Sequence, residues 1–430
     1  MSTIQASITE HRLEATTGSF ADQAREYIPT FGTEFSILLS QVLAYKFAAH
    51  YLGEHGFALY AVARRTISLL VPIPLLGLSV GLPRFIGRSI RSNPDAVNGY
   101  YGAALKYVAV STFLFVALVN WKAAYFAYTF FGNAQYATFA LPLSAMIFGL
   151  AAHNIVYAYF RGYLAMRKAN ILQFVNLGVV PLLCFVAFRH SVVRLLLLMG
   201  VLWILVASAG MCLTPFRSIR TISSSQSKEL LGYGLQRIPG DFLMAGLLAL
   251  PVTFVAHGSG LEKAGFLAFG ISILSMIGAL FTPIGLILLP KASLLLASQD
   301  HATLRRHVIR LAQTTLAVTA FLCLSIEAFS PVLIRLYLGK SFSEIVPIMR
   351  FIGLGAIPYG FYFALRGLVD AFHIRAVNTL NIAIAFSLFL LSSGLLVHQG
   401  SAFCMTFPLV LGLYILGALT IAEARKIILA

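Results

Sequence analysis

Glu54 is followed by Gly56-Phe57-Ala58-Leu59-Tyr60, and Glu262 by Gly265-Phe266-Leu267-Ala268-Phe269. The two stretches stand 209 residues apart in a chain of 430, so each half holds one copy. Pro74 and Pro283 keep the same offset. Further on, Phe131-Gly132 pairs with Leu338-Gly339 at offset 207, and Arg161-Gly162 with Arg366-Gly367 at offset 205. One Arg-Gly match carries nothing, but four matches in order with a slowly drifting offset read as a duplication.

What is duplicated follows from composition. Hydrophobic residues make up 59% of the chain and charged residues 11%, against about 25% charged in an ordinary soluble domain. Such a chain cannot cover a water-facing surface, but it can face lipid. A helix crosses hydrocarbon with roughly 20 apolar residues, because its backbone polar groups are satisfied within the segment. Twelve such segments are read, approximately at 32–51, 57–82, 100–121, 136–160, 171–188, 194–213, 230–254, 264–289, 308–333, 342–365, 376–397 and 401–421. The predicted fold class is an all-α integral membrane protein of twelve transmembrane helices in two six-helix, pseudo-symmetric bundles. The predicted boundaries are a cytoplasmic segment 1–28, a first bundle 29–215, a linker 216–229 around the serines of 223–227, a second bundle 230–422 and a tail 423–430. The first thirty residues are polar, with no apolar stretch like that of a signal peptide, so the first span is expected to act as its own insertion signal.

Charge gives the orientation. With the N-terminus inside, the inward segments hold nineteen Lys and Arg, from Arg12 to Lys426, and the outward loops hold six: Lys122, Arg189, Arg194, Lys263, Arg335 and Lys340. That bias predicts both termini in the cytoplasm. It also accounts for the net charge of +16, which in a soluble chain would point to nucleic acid; no nucleic-acid partner is expected. Six halves-preserving spans each return the chain to one side, so the pseudo-two-fold axis runs along the membrane normal, an arrangement common in alternating-access transporters with the site between the halves. Pro74 and Pro283 are candidate hinges, since a mid-span proline frees a carbonyl and bends the helix.

Six cations fall inside spans: Lys46, Arg64, Arg65, Lys106, Arg237 and Arg350. A charge in lipid costs at least ~2.5–3.5 kcal/mol, so each either snorkels to an interface or lines a shared aqueous cavity. In-span acids are few. Glu34, Asp241 and Glu327 are candidate charge partners or coupling sites, and Arg237 with Asp241 has the i, i+4 spacing of a helix salt bridge. No Walker A, dinucleotide-binding or HExxH motif is present, and the ten histidines are scattered. Cys184, Cys212, Cys323 and Cys404 read as small buried hydrophobes. No catalytic residues, metal ligands or cofactors are expected.

Leu52-Gly-Glu-His-Gly-Phe-Ala-Leu-Tyr60 and Leu75-Leu-Gly-Leu-Ser-Val-Gly-Leu-Pro-Arg-Phe-Ile-Gly87 resemble the start of the polysaccharide exporters, the O-antigen and capsule repeat-unit flippases. These belong to the multidrug/oligosaccharidyl-lipid/polysaccharide (MOP) exporter superfamily. The 131–132 and 161–162 loops resemble that family too. The resemblance implies a V-shaped exporter in the bacterial inner membrane. Its substrate would be an undecaprenyl-pyrophosphate-linked oligosaccharide repeat unit, moved to the periplasmic leaflet for O-antigen, capsule or exopolysaccharide synthesis. The implied partners are this lipid, the surrounding membrane lipids and the polysaccharide polymerase machinery. The six in-span cations would supply the cationic cavity. A multidrug exporter of the same superfamily, which would favour cavity acids, is the nearest alternative. Lipid II flippases usually have two further spans, a teichoic or teichuronic acid exporter remains open, and a membrane-embedded glycosyltransferase or ligase should show paired carboxylates.

Overall fold

The computed structural model describes the backbone of residues 20–90, 94–214, 224–297, 301–373, 376–396 and 402–429, with side chains within 29–90, 96–214, 224–281, 302–373, 376–396 and 405–429. Most of the predicted N-terminal segment, most of the linker and the side chain of Pro283 lie outside the described residues.

All regular structure among the described residues is helical. Ten helical runs are long and apolar enough to cross a membrane, and a bent pair, Lys340–Gly353 with Ala356–Phe372 at 48°, makes an eleventh. The first run, Pro29–Leu75, has 47 residues. At about 1.5 Å per residue it would be about 70 Å long, more than twice the roughly 30 Å hydrocarbon core, so it cannot cross once. Gly53 breaks it at φ 66°, ψ −173°, a region open to glycine and closed to residues with a Cβ. The chain doubles back there, because Tyr45 and Tyr60 rings meet at 5.6 Å, whereas fifteen residues of straight helix would hold them about 22 Å apart. The run is therefore two spans, and the described residues hold twelve, as the hydrophobic pattern predicts.

The repeat is visible in local geometry. Gly132 (φ 76°) and Gly339 (φ 116°) both end a helix in the left-handed region, and each is followed by a short 3-10 turn, Ala134–Phe139 and Lys340–Glu344. The fourth span, Ala140–Gly162, and the tenth, ending at Phe372, follow. Within the first half the fourth span packs on the sixth, Val192–Cys212, and the third, Pro94–Trp121. Within the second, the eighth, Leu261–Ala297, packs on the tenth. The seam between halves is made chiefly by the first two spans against the eighth and by Ile238–Gly258.

Three spans differ from their expected form. The second breaks at Leu76 (φ 52°) and Gly77 (φ 68°) between Pro72–Leu75 and Leu78–Ser89. The fifth carries a π-helical turn, Phe174–Val179. The seventh does not begin at Leu230. Ser224–Leu235 is a separate helix and the crossing helix starts at Ile238, with Pro239 in its first turn, where its missing N–H leaves no helical bond unmade. The serine stretch expected to be linker thus partly enters a helix. Cys184 and Cys323 are buried as expected, whereas Cys212 is exposed at the end of the sixth span.

Candidate functional site

The seam holds one of the in-span cations, Arg65, at half depth, with Arg64 next to it in the chain. Arg65 lies twelve residues below the Gly53 turn, about 18 Å along the second span. It is 8% exposed, and Arg65 Nη2 donates to Ser272 Oγ of the eighth span at 3.0 Å. Ser272 donates its own proton to the Ala268 carbonyl at 2.8 Å. A serine hydroxyl has one proton to give, so Tyr45 must donate in its 2.8 Å contact with Ser272 Oγ. Ser272 is then fully engaged, and Arg65 still has a buried Nε with no partner. Arg64, half-buried, donates to the Tyr60 hydroxyl at 3.4 Å and lies 5.9 Å from that ring. No carboxylate among the described residues pairs with Arg64, Arg65 or Lys46. A buried charge stripped of its counter-ion destabilises a fold by roughly 3–5 kcal/mol, so the arrangement calls for an anion.

Aromatic rings wall this region. Tyr45 touches Phe57, Tyr60 and Phe269 at centroid distances of 5.9, 5.6 and 5.1 Å.

Lys46 joins the halves nearer the Gly53 face. Its Nζ donates to the Leu336 carbonyl at 3.1 Å and to that of Tyr337. These are the last carbonyls of the ninth span, His301–Tyr337, which have no partner within the helix. Tyr337 in return donates to the Val42 carbonyl. Lys46 is thus a helix cap across the seam, at the negative end of the helix dipole. On the same face His55 meets Glu262 at 3.4 Å, His257 Nε2 donates to the Thr129 carbonyl at 3.0 Å, and Gly265 sits where a Cβ would come within 2.3 Å of Ala58.

Arg237 lies at the other face, at the break before the seventh span. Its Nη1 donates to the Tyr233 hydroxyl at 2.7 Å rather than to Asp241 one turn on, which is exposed. Arg84, from the first half, stacks on the Tyr233 ring at 4.8 Å. Tyr100 donates to Glu229 at 2.5 Å, and Arg88 meets the same carboxylate at 3.4 Å. Contacts therefore hold the seam at both faces, with Arg64 and Arg65 between them.

Four predicted members lie elsewhere. Lys106 lines a lateral pocket formed wholly by the first half. Arg350 Nε bonds the Glu327 carbonyl at 3.0 Å and reaches its carboxylate at 3.6 Å, so these two form a local pair within the second half. Glu34 accepts from Gln173 at 2.9 Å, inside the first half. Pro74 is buried in the short helix just before the break of the second span. Among the described residues no group of three or more His, Cys, Asp or Glu is placed to hold a metal. Sequence reasoning missed Tyr45, Ser272 and Tyr337. Their signal was weak, since tyrosine and serine are common in membrane helices.

No protein-family model and no curated protein sequence matches the chain. Solved structures do match it. An inward-facing multidrug-resistance MATE-family transporter of the MOP superfamily superposes with a TM-score of 0.72 at 12% identity, over 92% of this chain and 97% of that one. A MOP-superfamily transporter from Pyrococcus furiosus, described as having a binding pocket of reverse polarity, gives 0.62 at 12% over 95% of each. The lipid II flippase MurJ in an inward closed conformation gives 0.62 at 14%, over 94% of this chain and 90% of that one. The chain has the fold of the MOP-superfamily transporters, with two helical bundles facing each other across a seam.

Proposed function

We propose that this chain is a flippase for undecaprenyl-pyrophosphate-linked oligosaccharide repeat units, carrying them by alternating access from the cytoplasmic to the periplasmic leaflet of the bacterial inner membrane for surface polysaccharide synthesis. The observation that carries this reading is Arg65, a buried guanidinium at half depth on the seam, with one N–H unpartnered and Arg64 beside it. A pyrophosphate crossing the membrane needs fixed cations where the headgroups end, and arginine meets phosphate oxygens with two parallel donors. The Tyr60 hydroxyl keeps a proton to donate, and the rings of Tyr45 and Tyr60 are of the kind that bind sugar faces. The two bundles are taken as 29–215 and 230–422, with both termini cytoplasmic, and the polymerase machinery would act on the delivered unit.

An organic-cation exporter is the competing reading, and the structural likeness to MATE transporters favours it. It would want carboxylates at the site, and among the described residues none pairs with Arg64 or Arg65. Deleting the gene in its host distinguishes the two. The flippase reading expects loss of a surface polysaccharide together with a retained pool of lipid-linked repeat units in a lipid extract. Unchanged polysaccharide with increased sensitivity to cationic dyes would replace it with drug export.

A further inference from the structure

Lys106 and its surroundings form a site of a different kind. The third, fourth and sixth spans enclose a lateral cavity of about 340 Å³, within the roughly 300–1,000 Å³ range of small-molecule pockets. Its walls are chiefly apolar, with Ala152, Ile155, Ala207 and Met211 among them; Ser208 adds an exposed hydroxyl, and two further polar side chains mark the cavity. One is Lys106, exposed and 5.8 Å from the Tyr107 ring. The other is Thr112, 1% exposed, whose hydroxyl has no partner.

Depth identifies what such a cavity can hold. Lys106 lies ten residues into the run Ala96–Trp121, about 15 Å from its start. Helical side chains tilt toward the N-terminus, so its amine leans toward the face where the chain ends lie. The sixth span contributes Ile204 to Met211, its last two turns, and these approach the same face. The cavity therefore opens in that leaflet, which the charge bias predicts to be cytoplasmic. All three walls belong to the first half, so it stands apart from the seam.

We propose that this cavity is a binding site for an anionic diacyl phospholipid of that leaflet, with one acyl chain in the apolar groove, the phosphate against Lys106 and an ester carbonyl accepting from Thr112. Charge complementarity selects the ligand. A cation facing lipid needs a counter-ion, basic pockets between membrane helices on the cytoplasmic side hold acidic headgroups, and the unpartnered Thr112 hydroxyl supplies a donor for a glycerol ester carbonyl.

The test uses the full chain purified in detergent, with bound lipid followed by native mass spectrometry in competition between dioleoyl phosphatidylglycerol and dioleoyl phosphatidylethanolamine. The wild type should prefer phosphatidylglycerol by about fivefold, the effect of one cation near a membrane surface. Lys106→Gln should remove the preference and Lys106→Arg should keep it. Ala207→Phe, which fills the groove, should lower binding of both lipids while the protein stays monodisperse. The proposal is overturned if Lys106→Gln keeps the full preference, or if a monodisperse Ala207→Phe protein binds as before. Complete displacement of phosphatidylglycerol by an equal amount of undecaprenyl phosphate would also overturn it, giving the groove to the isoprenoid chain.

Discussion

The two halves share a repeat but break their helices in different places. In the first, the second span breaks at Leu76 and Gly77 while the fourth runs unbroken from Ala140 to Gly162. In the second, the eighth span is one helix from Leu261 to Ala297 while the tenth bends by 48° between Gly353 and Ala356. Proline does not decide this, since Pro74 precedes a break and Pro283 falls in a continuous helix. What marks the break is a backbone contact across the seam. Gly77 takes φ 68° and lies so close to the second half that a Cβ would stand 2.2 Å from the Gly234 carbonyl. At the repeat offset of 209, the counterparts of Leu76 and Gly77 are Gly285 and Leu286, so both copies carry one glycine and one leucine at this place. Duplication thus set the order of spans, and contact across the seam set where they bend.

The largest effect should follow from Gly77→Ala. Left-handed strain and a backbone clash together cost roughly 2–5 kcal/mol, so the variant should lose most of its folded, monodisperse fraction in fluorescence-detected size exclusion. Gly355→Ala at the other break, where φ is −70° and the facing atom is the end of the Leu413 side chain at 2.9 Å, should remain folded with a modest fall in melting temperature. Equal damage from both would erase the contrast between the halves.

Pro74→Ala comes next. It should insert at normal abundance and transport less well if the break that follows it in the second span serves as a hinge. Pro283→Ala tests whether the second half hinges at the matching place. If both variants transport at the wild-type rate, the prolines are incidental and the bends are fixed by contacts alone.

The orientation of both halves is open to the same treatment. Reporter fusions after Lys168 and Ser224 should read cytoplasmic, and fusions near Asn133 and Lys340 should read periplasmic. A cytoplasmic signal at Asn133 would undo the charge-bias topology. The smallest effect should come from Glu262→Gln. It removes the partner of His55 at an exposed site, and exposed pairs contribute about 0–1 kcal/mol, so thermal stability should barely move.

The sequence makes the number of spans, the reversal at Leu52 to Glu54 and the repeat legible, because each is written in local hydrophobicity and glycine placement. The breaks at Gly77 and Arg237 are not, since they depend on residues more than 150 positions away or on a packing partner that no window contains. The candidate site was legible in part. Position within a span gives a cation its depth but not its direction around the helix, where each residue turns about 100°. Depth alone therefore does not separate Arg64, Arg65, Lys106 and Arg350, and folding sends Arg65 to the seam with Arg64 beside it, Lys106 to a lateral groove and Arg350 to Glu327. Lys46 has the expected depth, but the carbonyls it caps lie 290 residues along the chain.

Arg65 is where the halves, the charge and the proposed substrate meet. The most direct measurement is binding of undecaprenyl pyrophosphate and of the lipophilic cation tetraphenylphosphonium to the purified protein and to its Arg65→Gln and Arg65→Lys variants, each checked for monodispersity. The account predicts that the wild type binds the pyrophosphate, that Arg65→Gln weakens this by about tenfold or more, as expected for losing a charge-assisted hydrogen bond, and that Arg65→Lys recovers part of it. A wild-type protein that binds tetraphenylphosphonium and ignores the pyrophosphate, or an Arg65→Gln variant that binds the pyrophosphate unchanged, would contradict it.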